Sequence, residues 1–259
     1  DEPLDGRRIL IDFEGVMLAA TVTLNGHTFA EHRGGYVPFT LDLTDWYIDG
    51  GENVLTVSVD SRERADIPPF GGTVDYLVFG GIYREVNLRL VEPVYIDNVF
   101  VKPKDVLTDT PSVEIDVTLI NTGSTARDLS LIAAFGKRGL DGQESDGQTP
   151  APVPVHVPAN STYVATISLT ELKPISLWSI ETPTLYDMIV QLNTEQRAAL
   201  DRKWTTFGFR EAQFKYDGFY LNGQRVQLMG LNRHQTYPFI GAAASARLQR
   251  KDADILKYE

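Results

Sequence analysis

Hydrophobic and polar residues alternate with a period of two along the first hundred residues, which is the pattern of β-strands with one buried face. The alternating apolar positions are Ile9, Ile11 and Phe13, Val22 and Leu24, Phe39, Leu41 and Leu43, Val57 and Val59, and Val86, Leu88 and Leu90. The turn-forming pairs Asn25-Gly26, Gly34-Gly35, Gly50-Gly51 and Gly71-Gly72 separate the runs. This pattern predicts an all-β sandwich.

A second β pattern follows Pro93. Its apolar alternation lies in the segments VEIDVTLINTG, LSLIAAF, YVATISL and YDMIVQL. Strands of this length and spacing are typical of a seven-stranded immunoglobulin-like sandwich. The segment GLDGQESDGQTPAPVPV, residues 139–155, is rich in Gly, Pro, Asp and Gln and predicts a long exposed loop between two of the strands.

The pattern changes again after Trp204. Asn222-Gly223 predicts a hairpin turn, the apolar run Val226 to Leu231 predicts a short buried strand, and Ser245 opens a stretch that predicts a helix to the end of the chain. A strand followed by a helix does not fit an all-β chain. It indicates the first unit of an α/β domain.

The composition and net charge exclude several classes of binding partner. The 259 residues include 24 Lys and Arg against 35 Asp and Glu, a formal net charge of −11, which opposes extended contact with nucleic acid or an anionic membrane and favours a neutral ligand. No apolar run approaches the roughly 20 residues of a spanning helix. The absence of cysteine excludes disulfides and thiolate metal sites and is compatible with a reducing cytoplasm.

Two residues are candidates for a site. His234 directly follows the apolar run, as at the C-terminal mouth of a barrel strand, so a site role and ordinary loop capping both stay open. Asp75 lies in a loop stiffened by proline and glycine, where a ligand contact and a turn acceptor are both open. The residues alone identify no acid/base pair, and there is no nucleotide loop, nucleophile elbow or zinc-binding helix motif.

Five segments carry a resemblance to a known family: FEGVMLAATVTLNGHTFAEHRGGYVPFTLDLTDW, GGENVLTVSVDSRERADIPPFGGTVDYLVFGGIYREV, LWSIETPTLYDMIVQL, TTFGFRE and YLNGQRVQLMGLNRHQTYP. In this order they resemble glycoside hydrolase family 2, on its β-galactosidase branch. The resemblance implies a jelly-roll sugar-binding domain at 1–94, an immunoglobulin-like β-sandwich at 95–208 and the beginning of a (β/α)8 barrel at 209–259. The chain would then be an N-terminal portion that begins inside the jelly roll and lacks most of the barrel.

The family's chemistry implies that this portion is inactive. A retaining glycosidase uses one glutamate to protonate the glycosidic oxygen and a second to attack the anomeric carbon, before water hydrolyses the glycosyl-enzyme. The resemblance places both glutamates beyond Glu259. No residue of this chain is therefore expected to be catalytic.

The resemblance assigns two substrate-binding residues. Asp75 matches an aspartate that contacts galactose hydroxyls and a sodium ion, and His234 matches a histidine that supports the sugar near the transition state. Met17 stands where some relatives place a sugar-contacting asparagine, which leaves the substrate preference open. No cofactor is expected in this portion, whereas sodium and magnesium are compatible with the complete enzyme.

The expected function is hydrolysis of terminal β-D-galactosides in carbohydrate metabolism by a cytoplasmic enzyme. Its expected partner is the sugar, with neither nucleic acid nor membrane, and a homo-oligomer is compatible with the family. Two alternatives stay open: a stand-alone, non-catalytic carbohydrate-binding module, and a β-glucuronidase or β-mannosidase of the same family.

Overall fold

A computed structural model shows a mainly β protein, which confirms the fold class predicted from the sequence. It describes residues 4–70, 72, 77–138, 144–148, 151–172, 174–197 and 199–258, with the backbone alone for 144–148. The chain divides into two compact units. The first comprises Asp1–Val91 and Leu231–Glu259, and the second comprises Glu92–Gly230.

The first unit contains two main antiparallel sheets. Its strands are β1 (Arg8–Phe13), β2 (Val16–Met17), β3 (Ala19–Leu24), β4 (His27–Thr28), β5 (His32–Arg33), β6 (Phe39–Asp42), β7 (Leu55–Asp60), β8 (Gly81–Ile82) and β9 (Val86–Val91), with a 3-10 turn at Thr44–Trp46. One sheet has the order β6-β1-β9, and in the other β3 pairs with β4, β5 and β7. The short strands β2 and β8 pair with each other.

The hydrophobic core of this unit is formed by residues of the predicted alternating pattern. Ile11 and Phe13 of β1 and Val22 and Leu24 of β3 are buried in one hydrophobic cluster. Phe13 also stacks on Phe39, with ring centroids 4.8 Å apart. The inward positions of the two sheets therefore meet as the period of two predicts.

Strand β9 departs from that pattern. Val86, Leu88 and Leu90 alternate as core residues do, and Leu88 stands directly opposite Ile11 on β1. Yet Leu88 is 67% exposed whereas Ile11 is 2% exposed. Strand β9 is at the edge of its sheet, and the apolar side chains of Val86, Leu88 and Leu90 are all exposed.

The second unit is a two-sheet sandwich followed by a small meander. Its strands are β10 (Val94–Lys104), β11 (Ser112–Asn121), β12 (Arg127–Arg138), β13 (Glu144–Gln148), β14 (Val153–Val157), β15 (Ser161–Leu169), β16 (Tyr186–Asn193), β17 (Asp201–Phe207), β18 (Ala212–Lys215), β19 (Gly218–Leu221) and β20 (Gln224–Val226). One sheet has the order β10-β11-β15, and the other has β13-β12-β16-β17 with β14 also pairing β12. Both sheets contribute to one core, as an immunoglobulin-like sandwich requires.

The prediction of one long exposed loop over residues 139–155 is wrong in part. Strand β13 pairs with the C-terminal end of β12, and β14 pairs with its N-terminal end. The alternation of Val153, Val155 and Val157 explains β14, because Val155 and Val157 are buried in the core. Residues 139–143, 149 and 150 lie outside the described part of the chain.

The hairpin turn predicted at Asn222-Gly223 is confirmed. Both residues have positive φ, 50° and 76°, and they join β19 to β20. The strand expected over Val226 to Leu231 is wrong beyond Val226, since residues 227–236 form no ladder. Leu228, Met229 and Leu231 are exposed rather than buried. A barrel strand needs a parallel neighbour on each side, and the described residues supply none here.

The predicted C-terminal helix is confirmed as α1 (Ala246–Tyr258), which belongs to the first unit. The carbonyl oxygen of Ser245 accepts hydrogen bonds from the amides of Leu248 and Gln249, which starts the helix where the sequence predicts. None of its described residues is buried. Among the described helices none is long and apolar enough to cross a membrane.

Candidate functional site

A cavity of about 620 Å³ lies within the first unit and has two chemically different walls. One wall, from the β-sandwich, is formed by Met17, Tyr36, Leu77, Val78, Phe79, Tyr83 and Arg84. The other, from the segment before α1, is formed by Leu231, Asn232, Arg233, His234, Gln235, Thr236 and Ala242. The first is therefore mostly apolar and aromatic, and the second is mostly polar.

The sandwich wall is held by contacts around Gly35. A Cβ atom on Gly35 would lie 2.3 Å from Sδ of Met17, so a side chain at position 35 would displace the end of the buried methionine. The carbonyl oxygen of Gly35 accepts a hydrogen bond of 2.6 Å from the hydroxyl of Tyr83. Burial raises the pKa of that hydroxyl, so it stays protonated and can donate. These contacts fix the backbone next to Tyr36.

A ring of four charged side chains holds the loop that leaves β7. Arg33 on β5 pairs with Glu31 at 2.5 Å and with Asp66 at 3.1 Å, and Arg64 bonds to the same two carboxylates. Hydrogen bonding to Arg33 lowers the pKa of Glu31, and hydrogen bonding to Arg64 lowers that of Asp66. Buried Ile67 follows in the same loop and packs with Met17. The start of the loop is therefore tied to the base of the sandwich wall.

The polar wall is held against α1 through Arg233. Its Nε donates a hydrogen bond of 2.9 Å to Oδ2 of Asp252, and its Nη2 donates one of 2.9 Å to the hydroxyl of Tyr237. That hydroxyl lies 3.3 Å from the carbonyl oxygen of Leu248. Hydrogen bonding with Tyr237, and then with Arg233, lowers the pKa of Asp252. The backbone on the N-terminal side of His234 is thus anchored to the helix.

The structure places one of the two predicted site residues in the cavity. His234 lines it, exposed to solvent. Asp75 lies outside the described residues, although Leu77, two positions later in the sequence, is a lining residue. Met17, the noted departure from the family pattern, is also at the cavity, where it offers a thioether rather than an amide.

Sequence reasoning missed Tyr36, Tyr83 and Arg84. Each lies one to three positions after a glycine pair, in GGYV and GGIYR. These glycine pairs were the sequence feature that could have marked the three residues as site candidates. Glycines allow close approach of backbone to a neighbour, but they do not say which neighbour. The partners of these residues became visible only in the fold.

The arrangement suits binding better than catalysis. No aspartate or glutamate is among the described residues that line the cavity, so it holds no described pair of carboxyl groups at the spacing of about 5 to 5.5 Å that a retaining glycosidase uses. The described residues also include no group of three or more His, Asp or Glu placed to hold a metal ion. What the cavity offers is an aromatic face opposite amide, imidazole and hydroxyl groups.

Two family models match most of the chain. Residues 1–93 match the sugar binding domain of glycosyl hydrolases family 2, and residues 94–210 match glycosyl hydrolases family 2. The chain is 41% identical over 258 residues to a β-galactosidase of Thermoanaerobacterium thermosulfurigenes, covering 97% of this chain and 34% of that protein. It is 32% identical over 246 residues to a putative β-glucuronidase of Formosa agariphila, covering 95% of this chain and 28% of that protein.

A solved structure shares the fold. The crystal structure of a Bacteroides uniformis β-glucuronidase superposes with a TM-score of 0.86 at 30% sequence identity, covering 97% of this chain and 30% of that one. The chain thus spans about a third of the length of the proteins that it matches.

Proposed function

The chain belongs to glycosyl hydrolase family 2, and on that premise we propose that it is the N-terminal portion of a retaining glycoside hydrolase that releases terminal β-D-galactose. The observation that carries the proposal is the two-walled cavity of the first unit. A sugar presents an apolar ring face and a rim of hydroxyls. The aromatic wall can pack against the apolar ring face, and the polar wall can hydrogen-bond to the hydroxyls.

His234 is proposed to bind a sugar hydroxyl. It lies at the cavity between two neighbours, Arg233 and Gln235, that both hydrogen-bond to other parts of the unit. An imidazole held in this way can donate to or accept from a hydroxyl in either neutral tautomer. The preference for a galactoside rests on the β-galactosidases among the relatives and on the sequence GLNRH.

Asp75 is proposed as a second sugar contact, supported by the family resemblance. The described lining residues bring no carboxylate to the cavity, so they do not themselves form a sodium site. Sodium at Asp75 and magnesium elsewhere stay predictions from the resemblance, as do a cytoplasmic location and a homo-oligomer.

The catalytic carboxyl groups are proposed to come from polypeptide beyond these 259 residues. The cavity supplies binding groups, and the general acid and the nucleophile would have to stand beside the glycosidic bond. The relatives, about three times as long as the part matched here, have room for a full barrel.

The test is to express the complete reading frame that encodes this chain and to follow hydrolysis of an aryl β-galactoside by proton NMR. We expect release of β-galactose as the first-formed anomer, because a retaining mechanism inverts the centre twice. Release of the α-anomer, or no hydrolysis of the galactoside, would refute the proposal.

A β-glucuronidase is the second candidate, favoured by the relatives and the solved structure that carry this name. An aryl β-glucuronide assayed in parallel separates the two, because only one substrate carries a carboxylate. A stand-alone sugar-binding module is tested by calorimetric titration of the 259-residue chain with galactose and lactose. Binding at millimolar or tighter affinity, together with no hydrolysis by the complete reading-frame product, would favour the module, and no heat would favour a portion of the enzyme.

A further inference from the structure

We propose that Arg84 is a positioning residue that holds the two walls of the cavity at a fixed separation and so sets where His234 stands. The inference rests on the proposed function, because it concerns the same cavity. Its basis is a continuous set of contacts from the loop of Tyr36, through Tyr83 and Arg84, to the segment of His234.

Arg84 contacts the polar wall at two points. Its Nη1 donates a hydrogen bond of 2.7 Å to the carbonyl oxygen of Ala242, and its Nη2 lies 3.4 Å from Oε1 of Gln235. These two residues bracket the segment between His234 and α1. The planar guanidinium reaches both at once because its donors point in fixed, divergent directions.

The same guanidinium rests on the sandwich wall. Its Cζ lies 4.6 Å from the ring centroid of Tyr83, in a cation–π contact. The hydroxyl of Tyr83 in turn holds the carbonyl oxygen of Gly35, next to Tyr36. Displacing Arg84 would therefore release the His234 segment from the Tyr36 loop.

The side chains of Tyr83 and Arg84 pack closely over the backbone of Gly15. A Cβ atom on Gly15 would lie 2.9 Å from Cγ of Arg84 and 2.9 Å from Cζ of Tyr83. A side chain at position 15 would have to push both residues from their places. Glycine there lets the backbone pass directly beneath the Tyr83–Arg84 contact.

The partners of Arg84 differ from those of three other arginines of the unit. Arg33, Arg64 and Arg233 each pair with a carboxylate. Within the described residues, Arg84 instead contacts the carbonyl oxygens of Ala242 and Tyr83, an amide oxygen and an aromatic ring. Its role therefore depends on the shape of the guanidinium more than on neutralising a charge.

The test uses the ring signals of His234 in long-range 1H–15N spectra of the 259-residue chain, with Arg84→Met, Arg84→Lys and Arg62→Met. Arg62 is the matched control, because it is an exposed arginine of the same unit that pairs with Asp60. We expect the His234 signals to shift or broaden in Arg84→Met and to be restored in part by Arg84→Lys, which keeps a single cationic donor nitrogen. The signals of His27 and His156 should stay in place.

His234 signals in Arg84→Met that coincide with those of wild type and Arg62→Met would overturn the proposal. If circular dichroism shows that Arg84→Met is unfolded, Tyr83→Phe decides instead, since it removes only the hydroxyl that holds Gly35. A shift of the His234 signals in Tyr83→Phe supports the coupling, and unchanged signals overturn it. Neither measurement needs a sugar, so failure here is separate from failure of the proposed hydrolase activity.

Discussion

Arg233 and Asp252 join the segment of the candidate site to helix α1, with Nε of the guanidinium 2.9 Å from Oδ2 of the carboxylate. Tyr237 completes the cluster by accepting a hydrogen bond from Arg233. The residue after Arg233 is His234, so this ion pair is one of the two anchors that determine where the histidine stands. Arg84 supplies the other.

Asp252→Asn should loosen the His234 segment without unfolding the unit. The oxygen of the neutral amide still accepts from Arg233 but carries no charge, so the charge-assisted hydrogen bonds become weaker neutral ones. We expect faster amide hydrogen exchange at Arg233 and His234. Asp254→Asn is the matched control on the same helix, because the Asp254 side chain is exposed and lies about 200° further round the helix than Asp252. Equal exchange rates in the two variants would show that the ion pair does not restrain the segment.

Acid should weaken the second unit through Glu114 and Asp116. Hydrogen bonding to Lys102 lowers the pKa of both carboxyl groups in the folded state. A carboxyl with a lowered folded pKa contributes stability above its unfolded pKa of about 4, and this stability is lost as the pH falls through the folded value. We expect the thermal midpoint to fall below about pH 4.

Lys102→Met should make that fall shallower, because it removes the cation that lowers both pKa values. Lys137→Met is the control, since Lys137 is exposed and contacts the hydroxyl of Ser176 rather than a carboxylate in the described structure. The thermal midpoint of each variant is measured between pH 7 and pH 2. An unchanged pH dependence in Lys102→Met would contradict the assignment.

Asn121→Ala should destabilise the second unit by about 1–3 kcal/mol, the cost of leaving buried polar groups unpaired. Asn121 is 2% exposed. Its Nδ2 donates to the carbonyl oxygens of Thr125 and Pro158, and its Oδ1 accepts from the amide of Gly123. Urea unfolding measures the loss. Exposed Asn98→Ala should stay within about 0.5 kcal/mol of wild type, and a similar result for Asn121→Ala would show that the network adds no stability.

His234→Ala should reduce kcat/KM of the complete reading-frame product by about 10²–10³-fold, the typical effect of losing one group that stabilises a transition state. The thermal midpoint should hardly change, because the side chain is exposed. His156→Ala, an exposed histidine of the second unit, is the control. Wild-type activity in His234→Ala would show that the histidine does not bind the substrate.

The alternation of apolar residues predicted the strands well and predicted burial less well. Ile11 and Leu88 obey the same period, yet only Ile11 is buried, because a period identifies the face of a strand and not whether another layer covers it. Asn222-Gly223 was predictable because a tight turn depends on its own two residues. The run after Val226 was not, because a parallel strand depends on neighbours elsewhere in the chain.

The residues of the candidate site likewise include one that the sequence predicts and one that it does not. His234 could be proposed from its position after an apolar run and from the resemblance. Arg84 could not, because its contact with Ala242 joins residues 158 positions apart. No local pattern encodes a hydrogen bond over such a separation, and only the fold brings the two together.

The most direct test of the central claim is an assay of the purified 259-residue chain with a chromogenic aryl β-galactoside. The claim is that these residues supply the sugar-binding wall of a hydrolase whose acid and nucleophile lie beyond Glu259. It predicts no turnover above a blank, while the complete reading-frame product hydrolyses the same substrate. Steady turnover by the 259-residue chain, abolished by His234→Ala, would contradict it.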